Sequence, residues 1–127
     1  FACSLDHASF LNEMCSQKQI KSASIDKNTT MASRRKYIDL YKSGEIKVLF
    51  NFGVLTHGFD APNTDIVIIA RPTQSPILYS QMIGRGLRGP KVGGNAECIL
   101  VDIKDNILGL PNERRTFTMY RDNYSRN

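Results

Sequence analysis

No stretch of this chain approaches the ~18 consecutive apolar residues that a membrane-spanning helix requires, and no basic region with a cleavage site opens it. The expected setting is therefore away from membranes. Cysteine is sparse: Cys3, Cys15 and Cys98 are odd in number, far apart and without any CxxC pattern, so neither a disulfide framework nor a zinc site is expected. That usage fits a reducing intracellular compartment, the cytoplasm in the simplest case. Nor does the chain contain a GxxxxGK[ST] phosphate loop or a DExH or DExD acidic motif, so it is not expected to hold and hydrolyse a nucleoside triphosphate by itself. Low-complexity runs and internal repeats are absent as well, which argues against a disordered chain or a solenoid.

What is present suits an ordinary folded domain. The 127 residues are 41% hydrophobic, enough for one domain with a real core. Seventeen Lys and Arg against twelve Asp and Glu leave a formal charge of +5, which permits a polyanionic partner without demanding one. Phe1-Ala2-Cys3-Ser4 reads as the end of a buried strand rather than a natural start, and the first residue is not Met. The expectation is a piece of a longer polypeptide.

Short apolar runs alternate with amphipathic stretches. Lys21 to Ile25, Ile46 to Phe50, Asp65 to Ala70 and Glu97 to Val101 read as strands, and βαβα alternation predicts a parallel sheet covered by helices. Ile66-Val67-Ile68-Ile69 lacks polar alternation, as expected of a central strand buried on both faces. Helices are predicted from about Asp6 to Gln17, with Ala8, Leu11, Met14 and Cys15 inward, and from about Thr30 to Ser43, with Tyr37, Leu40 and Tyr41 inward and Gly44 as the stop. Ser75-Pro76 starts a third helix, because Ser accepts orphan amide hydrogens and Pro is tolerated at the first helical position. Cys3 and Cys98 read as strand-core residues.

Within that third helix Gln81-Met82-Ile83-Gly84-Arg85-Gly86-Leu87-Arg88 places Gln81, Arg85 and Arg88 on one stripe and Tyr79, Met82, Ile83 and Leu87 on the opposite one. Each interior glycine lowers helix stability by roughly 1 kcal/mol against alanine, which signals close approach by a backbone or a ligand. A guanidinium pair one turn apart is either a solvated face or a phosphate clamp. Residues 51–62, from Asn51 to Pro62, are too long for a minimal βα turn. Gly53 and Gly58 there either turn the chain or let amides approach a phosphate, Thr56 offers a hydroxyl, and Asp60 either caps or accepts from a ribose or water. His7 and His57 read as polar loop residues, since no nucleophile or carboxylate is placed to form a recognisable set with them.

The run VLTHGFDAPNTDIVIIARPTQSPILYSQMIGRGLRG closely resembles the second motor domain of superfamily two DEAD/DEAH-type helicases, in the branch with type III restriction translocase subunits and bacterial DNA repair helicases. The likeness extends back through FACSLDHA, which resembles motif IV, and covers Phe1 to about Asp105. It implies a three-layer αβα RecA-like domain with a mostly parallel sheet of five to six strands over residues 1–105; residues 106–127, where the pattern weakens, are either a C-terminal extension or the start of a following region. Arg85 and Arg88 match the motif VI arginine fingers, Arg88 being the one closest to the transferred phosphoryl. Gln81 opens the same motif, Gly58 and Asp60 match motif V, and Ser4, Gly53 and Thr56 match positions that touch the nucleic-acid backbone. His57 departs from the Glu or Thr more often found before that glycine, and its role stays open.

By the same resemblance the partners are DNA, with RNA as the other possibility, and an N-terminal RecA-like domain of the same polypeptide. That domain would hold most of the ATP and Mg²⁺. The location implied is the cytoplasm, at the nucleoid. The alternative is a non-catalytic RecA-like module that binds nucleic acid or protein.

Overall fold

The computed structural model describes residues 1–54, 63–71, 75–84 and 93–102. In chain order the elements are α1 (Leu5–Gln17), β1 (Ser22–Ile25), α2 (Met31–Lys42), β2 (Val48–Asn51), β3 (Ile66–Ile69), α3 (Pro76–Ile83) and β4 (Ile99–Asp102). Each strand lies within or one residue beyond a predicted apolar run.

Helix starts are set by local chemistry. Ser4 caps α1, its Oγ accepting the His7 N–H at 3.0 Å. Thr30 caps α2 by accepting from Ser33 N at 3.2 Å, and Ser75 caps α3 by accepting from Leu78 N at 3.3 Å. Each supplies an acceptor to an amide that has no partner inside its helix. The ends differ. Gly44, just past α2, takes φ +81°, the left-handed turn that glycine adopts without strain. Past α1 the same role falls to Gln19 at φ +58°, where Ile20 N–H reaches back to Cys15 O at 2.8 Å.

The strands form two parallel pairs, β1 with β2 and β3 with β4. Ser22 lies opposite Val48 and Ile25 opposite Asn51, while Ile66 lies opposite Ile99 and Ile69 opposite Asp102. Residues 1–2 join the pairs. The Phe1 amino group donates to Ile68 O at 2.7 Å, Ala70 N–H donates to Phe1 O at 3.0 Å, and Ala2 N–H donates to Asn51 O at 2.9 Å. The spatial order is β1, β2, residues 1–2, β3, β4; Phe1 and Ala2 bridge the two pairs through these bonds, but Phe1-Ala2-Cys3-Ser4, expected as a strand end, forms no strand of its own.

Three layers result. Ile25 packs with Tyr37, Ile38 and Tyr41 of α2, and Val67 and Ile69 pack with Tyr79, Met82 and Ile83 of α3. Phe1 touches both clusters, so α2 and α3 share one side of the sheet. On β1 the alternate residue Ser22 donates its hydroxyl to Asn12 Oδ1 of α1 at 2.8 Å, which places α1 on the other side.

Three expectations about burial change. Ile66 and Ile68 are 49% and 51% exposed, so β3 is buried on one face rather than both; α3 packs on β3 through its Val67–Ile69 side, while α1 packs on β1 and β2. Met14, expected inward on α1, is largely exposed, whereas Ala8 is buried. Cys3 is exposed, because alternation along the first residues buries Ala2 and turns the next side chain outward.

Candidate functional site at the carboxyl edge of the sheet

Parallel strands deliver their carboxyl ends to one rim, the usual place for ligands in such sheets. Here that rim gathers Asp26 after β1, Asn51-Phe52-Gly53 at the end of β2, Cys3-Ser4 after the first two residues, Arg71 after β3, and Asp102 at the end of β4.

Two of the predicted backbone-contacting residues, Ser4 and Gly53, are placed at this rim. The Ser4 oxygen is committed as acceptor to the His7 amide, which leaves its O–H as the group able to donate outward. Gly53 has φ +74°, and a Cβ built on it meets nothing within 4 Å among the described residues. The glycine is thus required by the turn rather than by a close neighbour, and the space above it is open. Ala2 N–H bonds to Asn51 O, so the Cys3-Ser4 corner and the Phe52-Gly53 turn leave adjacent strands side by side. Arg71 adds positive charge, its guanidinium carbon 5.2 Å from the centroid of the Phe52 ring, a cation–π distance.

Gln81 lies half-buried in the last turn of α3, whose inner residues Tyr79, Met82 and Ile83 are buried as expected. The described helix ends there with Gly84 as its cap, so the single helix expected through Arg88 is described only as far as Ile83. Thr56, His57, Gly58, Asp60, Arg85 and Arg88 lie outside the described residues.

Three features of the rim escape the sequence reading. Asn51 is 4% exposed, and its buried Oδ1 has no hydrogen-bond partner among the described residues; the sequence signal is an amide closing an otherwise apolar strand. Tyr79, on the buried side of α3, donates its hydroxyl to Asp102 Oδ2 at 2.7 Å, tying the helix that carries Gln81 to the end of β4. Third, Cys3 Sγ lies 3.1 Å from His7 Nδ1, so His7 is a helical residue beside a thiol and not the isolated loop histidine expected.

Burial moves two groups. It lowers the Phe1 amino group from its ordinary value near 8 to about 6, and it raises the Cys98 thiol. A separate open depression of about 440 Å³, lined by Asn12, Lys21, Leu40 and Ile46 among others, sits by the start of β1 and the turn before β2, away from this rim. No described helix is long and apolar enough to cross a membrane.

Comparison with known proteins fits this architecture. IRC3 of Saccharomyces cerevisiae, named as an ATP-dependent helicase, is 39% identical over 82 residues, which are 65% of this chain and 12% of that protein. Among solved structures, the C-terminal domain of the DEAD-box protein Dbp5 superposes with a TM-score of 0.69 at 18% identity, covering 100% of this chain and 69% of that one. Dbp5 of S. cerevisiae bound to RNA and ADP BeF3 gives a TM-score of 0.68 at 19% identity, over 96% of this chain and 30% of that one. These likenesses establish a RecA-like α/β fold. The chain spans about an eighth of IRC3. The model of the helicase conserved C-terminal domain matches residues 2–89, well over half of the sequence, and the chain belongs to that family.

Proposed function

We propose that this chain is the C-terminal motor half of an ATP-dependent DNA helicase or translocase. The observation that carries the reading is the family match across residues 2–89, which includes both the rim with Ser4 and Gly53 and the helix with Gln81 that leads into Arg85 and Arg88. In this reading ATP sits between this domain and an N-terminal RecA-like domain of the same polypeptide. Arg85 and Arg88 neutralise charge on the transferred phosphoryl, Arg88 from the closer position. Gln81, Gly58 and Asp60 couple nucleotide to nucleic acid, while Ser4, Gly53 and Thr56 grip the backbone of one strand. Such grips are to phosphate and blind to sequence.

The chain alone is inactive in this reading, because the phosphate loop and the acidic motif belong to the upstream domain. Mg²⁺ would be held there too, by the acidic motif of that domain. DNA is favoured over RNA by the resemblance of the GFDAP and QxxGRxxR motifs to the restriction and repair branch, and the same motifs favour an intracellular, nucleoid-associated role.

The deciding experiment is ATP turnover by the full-length protein with single-stranded DNA and, separately, RNA. Arg88→Ala is expected to lower stimulated turnover by ~10³ or more with the fold intact, and near-normal turnover overturns the assignment. Stimulation by RNA alone replaces DNA as substrate.

A further inference from the structure

Cys3 and His7 form a pair that the motor chemistry leaves unused. Alternation after buried Ala2 turns Cys3 into solvent, and the helix capped by Ser4 brings His7 back over it one turn later. His7 Nδ1 accepts the Cys3 backbone N–H at 3.2 Å and lies 3.1 Å from Cys3 Sγ. A ring nitrogen that accepts an N–H carries no proton of its own, so the neutral ring holds its proton on Nε2, and its single Nδ1 lone pair is shared between the Cys3 N–H and the thiol. The other cysteines lack this arrangement. Cys15 is half-buried on α1, and the half-buried Cys98 thiol makes a 3.8 Å contact with Ile99 O and is held protonated more firmly by burial.

We propose that Cys3 is a thiol-modification site, with His7 as its base, and that it takes a low-molecular-weight disulfide such as oxidised glutathione. His7 Nδ1 accepts the thiol proton. The Cys3 sulfur then attacks one sulfur of the disulfide, forming a new S–S bond as the old one breaks, and the departing thiolate takes the proton from the imidazolium. No net oxidant is consumed beyond the disulfide, and excess thiol reverses the exchange. The adduct is anionic and stands beside Ser4 and the Phe52-Gly53 turn, so it excludes a phosphate backbone from the rim. This last consequence rests on the nucleic-acid reading above; the thiol chemistry does not.

The test treats the 127-residue chain with oxidised glutathione at neutral pH and maps the adducts by peptide mass spectrometry over time. Cys3 is expected to react about tenfold or more faster than Cys15 and Cys98. His7→Ala is expected to remove that advantage, and so is His7→Gln, which retains an acceptor for the Cys3 amide but no base. Unchanged slow labelling of Cys15 in the same spectra reports that the variants are folded. Equal rates at the three cysteines, or a Cys3 rate indifferent to both His7 variants, overturn the assignment.

A second arm measures single-stranded DNA binding. The adduct is expected to weaken it about fivefold or more, with recovery on adding dithiothreitol and no response in Cys3→Ser. Unchanged affinity of the modified chain overturns the switch. A chain that binds no strand in either state defeats the motor reading instead, while the mapping still decides the thiol.

Discussion

The two halves of the sheet are built alike but covered differently. β1 and β2 carry α1 on one side and α2 on the other. β3 and β4 carry α3 on one side, and on the other expose Ile66, Ile68, Ile99 and Val101 at 49%, 51%, 61% and 44%. In the parallel register Ile66 meets Ile99 and Ile68 meets Val101, so the four form one apolar patch. A continuous apolar strand records a capacity for burial on two faces; which faces are used depends on the helices that reach it.

The sharpest way to break that contrast is to truncate the two faces of β3 separately. Ile69 is 0% exposed, and Ile69→Ala is expected to lower unfolding free energy by about 2–5 kcal/mol in denaturant titrations. Ile68→Ala, on the open face, is expected to remain within roughly 1 kcal/mol of wild type, as surface changes do. Equal losses would mean that the second face is covered in solution.

Tyr79→Phe comes next, since it leaves Asp102 without its 2.7 Å donor; a loss of about 1–3 kcal/mol is expected by the same titration. On the better-covered half the cap substitution Thr30→Ala is expected to cost about 1 kcal/mol. Its tail, Gln19 at φ +58°, offers a gain: Gln19→Gly is expected to stabilise by about 1 kcal/mol by relieving a left-handed non-glycine residue.

The 127-residue chain taken by itself, with a free amine at Phe1, is also expected to show a pH dependence at the seam between the halves. The unfolded chain keeps its terminal amine protonated up to about pH 8, while burial in the folded chain brings that value to about 6. The unfolded state therefore binds more protons between these values, and stability rises as pH increases from 6 to 8. Acetylating Phe1 is expected to abolish that slope in thermal melts.

Legibility in the sequence follows the range of the interaction. Ser75-Pro76 and Gly44 announce helix ends through their own chemistry, and the structure bears both out. Strand positions are equally local. The exposed face of β3 is not, because it depends on helices elsewhere in the chain, and neither is the Tyr79–Asp102 bond, which joins residues 23 apart. Cys3 and His7 are only four apart, yet helical spacing does not announce them, since Cys3 lies before the cap and only the turn geometry at Ser4 folds it under His7. At the site, Ser4 and Gly53 fall on one rim and Gln81 in the third helix. Arg85, Arg88, Gly58, Asp60 and Thr56 are legible as motifs, and their positions lie outside the described residues.

Gly53 combines a positive φ with vacant space where a side chain would point, so chirality separates two effects that a conventional substitution confounds. L-alanine there strains the backbone while its methyl group enters that space, whereas D-alanine, introduced by semisynthesis, adopts the turn without strain and projects its methyl group from the other side of the Cα. Set against glycine, the mirror-image pair would separate what the turn costs from what a polyanion touches on each side of the peptide.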